Sequence, residues 1–245
     1  MLIAGLSLKL LAVLWAGAFV GALAAGGAGF AFALAASSIW LHALDPLRTT
    51  MLVVTCGTVL HFALVWPMRR TIEGPRLAPF AIGGLLGIPV GVWVLTVADV
   101  GGVKTALGLF LILYGSYALL APRLPVISVG GRGADAAIGF VGGVLGGIGG
   151  FSGVIPTIWT QLRGWTKERA RGVYQPFILM AHLATFLVLG AVSLDGAGLV
   201  MVLAVLPPLA AGTWIGWRIY GRLDDRAFRR WLAVLLLLSG ATLVI

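Results

Sequence analysis

The chain has 245 residues, 60% of them hydrophobic and only 10% charged, with 36 glycines and a mean hydropathy of +1.06. A water-soluble domain draws about a quarter of its residues from the charged types to clothe its surface, so this composition excludes a soluble protein and requires lipid around most of the chain. The net charge of +9 does not point to nucleic acid, because the basic residues sit in short segments beside apolar runs, as membrane topology demands. Cys56 is the only cysteine, which excludes disulfides and thiolate metal sites.

In chain order, the first feature is an apolar, glycine-rich region over 5–44, with Lys9 its only early charge; so weakly basic a start does not read as a cleavable signal. The run Ala25-Gly26-Gly27-Ala28-Gly29 divides this region. Three spans follow, over 49–66, 78–98 and 101–121, each close to the roughly 20 apolar residues that cross a bilayer core. Asp45-Pro46 before the first of them predicts an N-cap with proline at the first helical position. A second glycine-rich region, 135–165, is divided by Gly146-Gly147-Ile148-Gly149-Gly150 into arms of about 15 residues, too short to span. Spans over 172–192, 198–217 and 227–245 complete the chain.

The sequence repeats itself. A shift of 121 residues places Phe19-Val20-Gly21 over Phe140-Val141-Gly142, Gly26, Gly29 and Phe30 over Gly147, Gly150 and Phe151, and His61 over His182. A shift of 125 places Gly87, Gly91, Asp99 and Gly115 over Gly212, Gly216, Asp224 and Gly240, and Lys104 over Arg229. The difference of four predicts a longer connection near 190–203. The expected fold is therefore an all-α polytopic membrane protein of two homologous halves, 1–122 and 135–245, joined by 123–134. Each half is a glycine-broken helix pair or hairpin followed by three transmembrane helices.

Charge orients the halves. If each glycine-rich region crosses once, the 17 Lys and Arg divide 11 to 6 between the two sides. If each returns to its own side or crosses twice, the halves become inverted and the split is 14 to 3, with only Lys9, Arg48 and Lys104 outside. The inverted arrangement obeys the positive-inside rule far better. It predicts a multi-pass inner-membrane protein with both termini in the periplasm, and with six or ten crossings, against eight if each glycine-rich region crosses once.

All eight acids lie at span ends or in loops, so no carboxylate is placed to bind a cation or relay protons within the membrane. Broken helices at matching places in inverted halves point to a transporter site, and glycine amides with helix N-termini suit an anion. The candidate substrate-binding residues are Gly26, Gly29, Phe30 and His61 in the first half, and Gly149, Gly150, Phe151, Ser152, Gln175 and His182 in the second. His61 and His182 fall deep in their spans, and Gln175 precedes Pro176, which interrupts the helical ladder. The remaining glycines at four-residue spacing, Gly139, Gly143 and Gly147 with Gly87, Gly91, Gly212 and Gly216, read as packing contacts. Gly240, at a span end, is expected to tolerate alanine.

Gly150-Phe151-Ser152-Gly153 with His182 imitates the serine and histidine of an intramembrane protease. The first copy carries Ala31 in place of Ser152, so an enzyme is not expected, and neither cofactor nor metal is implied. Rival readings are an uptake permease and a passive anion channel.

The stretch Gly139-Phe140 through Gly142-Gly143, Gly146-Gly147 and Gly149-Gly150-Phe151-Ser152-Gly153 to Pro156, then Arg163-Gly164-Trp165 and Ala170-Arg171-Gly172, resembles the TauE/SafE family of sulfite and organosulfonate exporters. The first half echoes it through Gly21, Gly26-Gly27 and Gly29-Phe30, but Ala35 stands where Pro156 aligns. The resemblance implies export of sulfite, sulfoacetate or a related organosulfonate. Substrate, direction, coupling ion and oligomeric state, including a homo-oligomer, stay open.

Overall fold

A computed structural model describes residues 2–3, 6–97, 100–120, 125–193 and 196–244. After a two-residue antiparallel pairing of Leu2–Ile3 with Leu6–Ser7, the chain is helical: α1 Leu8–Ala28, α2 Phe32–Trp40, α3 Pro46–Met68 and its 3-10 extension Arg69–Thr71, α4 Gly74–Val97, α5 Val100–Leu120, α6 Gly131–Gly149, α7 Val154–Leu162, α8 Lys167–Ser193, α9 Gly196–Arg222 and α10 Asp225–Val244. The same order occurs twice: a long helix, a nine-residue helix, and three long helices. Helices α1, α3, α4, α8, α9 and α10 include spans long and apolar enough to cross a membrane. Large apolar side chains such as Trp66, Ile82, Trp93 and Leu113 stay exposed, as a lipid-facing surface requires.

Local chemistry explains the helix ends. Ser7 accepts from the Leu10 N–H at 3.2 Å and Asp45 from the Arg48 N–H at 2.9 Å, with Pro46 at the first position. Each such cap is worth about 1 kcal/mol. Asp224 accepts from the Ala227 N–H at 2.7 Å, and that bond holds its carboxyl below the usual range. Its repeat counterpart Asp99 lies outside the described residues.

The glycine-rich regions turn back on themselves. The chain leaves α1 through Gly29 at φ +86° and α6 through Gly150 at φ +74°, a left-handed conformation open to glycine at little cost. The short helices then fold against the long ones. The Trp40 indole N–H donates to the Leu14 carbonyl at 3.1 Å, and that of Trp159 to Asp135 Oδ1 at 2.7 Å. Arg163 adds a second contact to that carboxylate at 3.1 Å.

Three expectations are corrected. The arms are unequal: 21 and 9 residues in the first region, 19 and 9 in the second, because only the last glycine of each run leaves the helix. Gly26 and Gly149 are accordingly helical. No longer connection appears near 190–203, since α8 reaches Ser193 and α9 begins at Gly196; the additional residues lengthen the two helices.

Glycine seams hold the long helices together. α6 lies along α4 and α1 along α9, each the first long helix of one repeat against the fourth element of the other. A methyl on Gly147 would stand 2.5 Å from the Ile88 carbonyl, and one on Gly212 would stand 2.5 Å from the Phe19 carbonyl. Gly139, Gly143, Gly87, Gly91 and Gly216 likewise meet backbone of the facing helix, so the packing reading holds for all of them. At the centre α3 crosses α8, while α5 pairs with α10.

Candidate functional site

The two turns converge on the α3–α8 crossing. Phe30 and Phe151 directly follow the turn glycines, and both are buried. The turns also touch each other: a methyl on Gly153 would stand 2.8 Å from the Phe30 Cβ. Gly29 abuts α8, where a methyl would come 2.9 Å from the Tyr174 ring; Gly150 abuts α3, where it would come 2.5 Å from Val53 Cγ1. Tyr174 and Val53 are themselves 121 residues apart, so each turn rests on the equivalent position of the other half's central helix.

Two groups of predicted residues emerge. In the first, His182 donates from Nε2 to the Gly150 carbonyl at 3.1 Å, since a carbonyl can only accept. The His61 ring lies 5.3 Å away, edge to face. Both histidines are buried, and neither nitrogen of His61 has a hydrogen-bond partner in the protein. Ser152 is fully buried with its hydroxyl unpaired. In the second group, Gly26, Gly29 and Gln175 gather around the end of α1. Gln175 does not expose a carbonyl through a broken helix, because α8 runs on past Pro176 to Ser193. Its side chain instead accepts from Arg171 Nε at 2.7 Å, leaving its own amide N–H groups unpaired. Gly149 belongs to neither group: a methyl there would run into the Phe151 ring, so its lack of a side chain makes room for that ring.

Sequence reading missed Arg171, which it placed in a cytoplasmic loop. It is fully buried within α8. It donates from Nη2 to the Gly26 carbonyl at 2.8 Å, and its guanidinium lies 4.0 Å from the Tyr220 ring and 4.9 Å from the Trp217 ring. Beside it Tyr174 donates its hydroxyl to the Ala28 carbonyl at 2.6 Å. The signal available was the i, i+4 spacing of Arg171 and Gln175, which puts a cation and an amide on one helix face.

Buried polar groups are almost always hydrogen-bonded. Here unpaired atoms of His61, Ser152, Gln175 and Arg171 collect around two turns, and among the described residues no carboxylate joins them in an ion pair. Such a set can surround an oxyanion with N–H and O–H donors. Among the described residues it holds no nucleophile–base pair at Ser152, whose hydroxyl is hydrogen-bonded to no base.

No curated protein and no solved structure matches the chain. The profile of the family described as "Sulfite exporter TauE/SafE" matches residues 9–243, nearly the whole sequence, and the chain therefore belongs to the TauE/SafE family of membrane transporters.

Proposed function

We propose that the chain carries a small sulfur oxyanion, sulfite or an organosulfonate, outward across the inner membrane, binding it between the two glycine turns. The observation that carries this reading is the collection of buried, unpaired donors at the turns with no carboxylate among them. Family membership supports transport of sulfur anions. The two halves, 1–122 and 135–245, act as inverted repeats: a hairpin plus three spans reverses the orientation of whatever follows it, and the 14-to-3 charge split supports that orientation. Gly26, Gly29, Phe30, His61, Gly150, Phe151, Ser152, Gln175 and His182 form the walls, and the protein performs no covalent chemistry.

Energetics favour export. An inside-negative potential drives an anion outward with about 2.3 kcal/mol per charge per 100 mV, so no coupling ion is required. The test is flux of labelled sulfite and two-carbon sulfonates in proteoliposomes with the potential clamped in each direction. Saturable flux that follows the imposed potential supports the reading. Absence of flux overturns it, and non-saturating conductance in planar bilayers makes the protein a channel.

A further inference from the structure

Arg171 is the one fully buried cation among the described residues, and its compensation is incomplete. Its ligands are neutral: Gln175 Oε1 at 2.7 Å, the Gly26 carbonyl at 2.8 Å, and the faces of Tyr220 and Trp217. The carbonyls at the end of α1 carry a partial negative charge and the rings attract cations, but neither cancels a full positive charge. The neighbouring acids are engaged elsewhere: Asp225 accepts from the Lys167 backbone N–H at 3.0 Å, and Glu168 pairs with the Lys167 ammonium at 3.7 Å. A buried charge without a counter-charge is costly unless something supplies one. Arg171 also keeps donors in reserve, since its Nη1 and the Nε2 of Gln175 have no partner in the protein. Its Nε lies 3.1 Å from where a methyl on Gly29 would stand, so the guanidinium borders the first turn directly.

The other half supplies no such charge. Thr50, 121 residues before Arg171, donates its hydroxyl to the Pro46 carbonyl of its own helix at 2.8 Å, with the Ile148 carbonyl 3.3 Å away. It thus meets the end of α6 much as Arg171 meets the end of α1, but as a neutral group. The site therefore holds one fixed positive charge rather than two.

We propose that Arg171 is the charge partner of the transported anion, and that it makes the site selective for singly charged oxyanions such as hydrogensulfite or a monosulfonate. Gln175 is its positioning residue. The proposal rests on the transport reading above. A monoanion neutralises the guanidinium and takes up the free Nη1 and Nε2 donors. A dianion leaves one negative charge buried and uncompensated.

The test uses the full chain, with ethanesulfonate and ethane-1,2-disulfonate as competitors of labelled sulfite flux and as ligands in thermal-shift titrations. In the unaltered protein ethanesulfonate is expected to compete at least about tenfold more tightly than the disulfonate, the range set by loss of a charged hydrogen bond. Arg171→Gln should weaken ethanesulfonate by a similar factor or more and erase the preference, whereas Arg171→Lys should keep the preference. Gln175→Glu is the decisive variant. It places a carboxylate against the guanidinium, so it should hold or raise the melting temperature while abolishing the ethanesulfonate response, and it carries the test even if Arg171→Gln does not fold. Should the unaltered protein respond to no anion at all, the transport reading fails and takes this inference with it. If the unaltered protein responds and Gln175→Glu binds ethanesulfonate equally well, Arg171 is only a cap on α1 and the inference alone is overturned. Loss in Arg171→Lys as complete as in Arg171→Gln overturns it too, because the shape of the side chain rather than its charge would then matter.

Discussion

His182 donates from Nε2 to the carbonyl oxygen of Gly150 at 3.1 Å, which ties the middle of α8 to the turn that ends α6 in the same half. The turn needs glycine twice over. Its φ is +74°, which costs a side-chain-bearing residue roughly 1–2 kcal/mol, and a methyl would stand 2.5 Å from Val53 Cγ1. Gly150→Val is therefore expected to abolish flux in proteoliposomes while the protein still reaches the membrane. His182→Ala removes the donor to the Gly150 carbonyl and should lower flux. Normal transport by Gly150→Val would show that the turn serves packing alone.

A control for that experiment has to come from a glycine in open space. Gly240, which its position at a span end marks as tolerant, is not one: a methyl there would meet the Gly108 carbonyl at 2.6 Å and the Ile112 nitrogen at 2.8 Å. The error is physical, since the C-terminal part of α10 packs closely on α5, Gly108 against Gly240 and Gly115 against Ala233, and the end of a span can be as crowded as its centre. Gly221, with nothing within 4 Å of an added methyl, should accept alanine with flux and melting temperature unchanged.

Five of the six expected spans, the duplicated order of elements and the Asp45-Pro46 cap were legible because each rests on a local rule: apolar length, self-similarity, or a capping side chain. Of the expected 101–121 span only Gly108–Leu120 stands as an apolar stretch among the described residues, whereas α1, expected to be part of a broken region, is itself long and apolar enough to cross. The glycine seams were legible as well, since four-residue spacing puts small residues on one helix face. What could not be read was which glycine of each run leaves the helix. Gly26, Gly27 and Gly29 are chemically identical, and only the approach of Arg171 and Tyr174 to the chain end distinguishes Gly29. Arg171 itself was hidden by its neighbours. Lys167 and Arg169 make the start of α8 look like a solvated loop, and only the partners contributed by α1 and α9 show that the third cation of the series is enclosed.

The seam between α4 and α6 should be sensitive to a single methylene. A methyl on Gly143 would run into the Gly84 backbone, with the Gly84 Cα 2.8 Å away, and backbone on both sides leaves nothing flexible to move. Gly143→Val is expected to destabilise by about 1–3 kcal/mol, the usual cost of overpacking, and to lower the melting temperature of the detergent-solubilised protein. An unchanged melting temperature would mean that the two helices can separate freely.

Ser152 should not behave as a nucleophile. Its hydroxyl is buried and hydrogen-bonded to no base, neither His61 nor His182. A fluorophosphonate probe is expected to leave the protein unlabelled. Labelling that disappears in Ser152→Ala would revive the protease reading.

Topology supplies the last prediction. Of the 17 Lys and Arg, 14 fall on one side when each glycine region returns to its own side, 13 once Arg171, buried within α8, is set aside, and basic residues are retained in the cytoplasm. The loops around 67–77, 122–134, 163–171 and 218–229 should then be cytoplasmic and both termini periplasmic. Single cysteines in a Cys56→Ala background can report this, because Cys56 is buried in α3 and its removal leaves no other thiol. The reporters must be exposed, which excludes Arg171 but admits Ser7, Thr166 and Glu168. A membrane-impermeant maleimide added to intact cells should label Ser7→Cys and spare Thr166→Cys and Glu168→Cys, while inverted vesicles should give the opposite result. Labelling of Thr166→Cys from the periplasmic side would place the second half the other way up. Since α6 and α7 form a hairpin whose base lies at Asp135 and Trp159, that outcome would carry the Gly150 turn to the opposite face and overturn the inverted arrangement of the two halves.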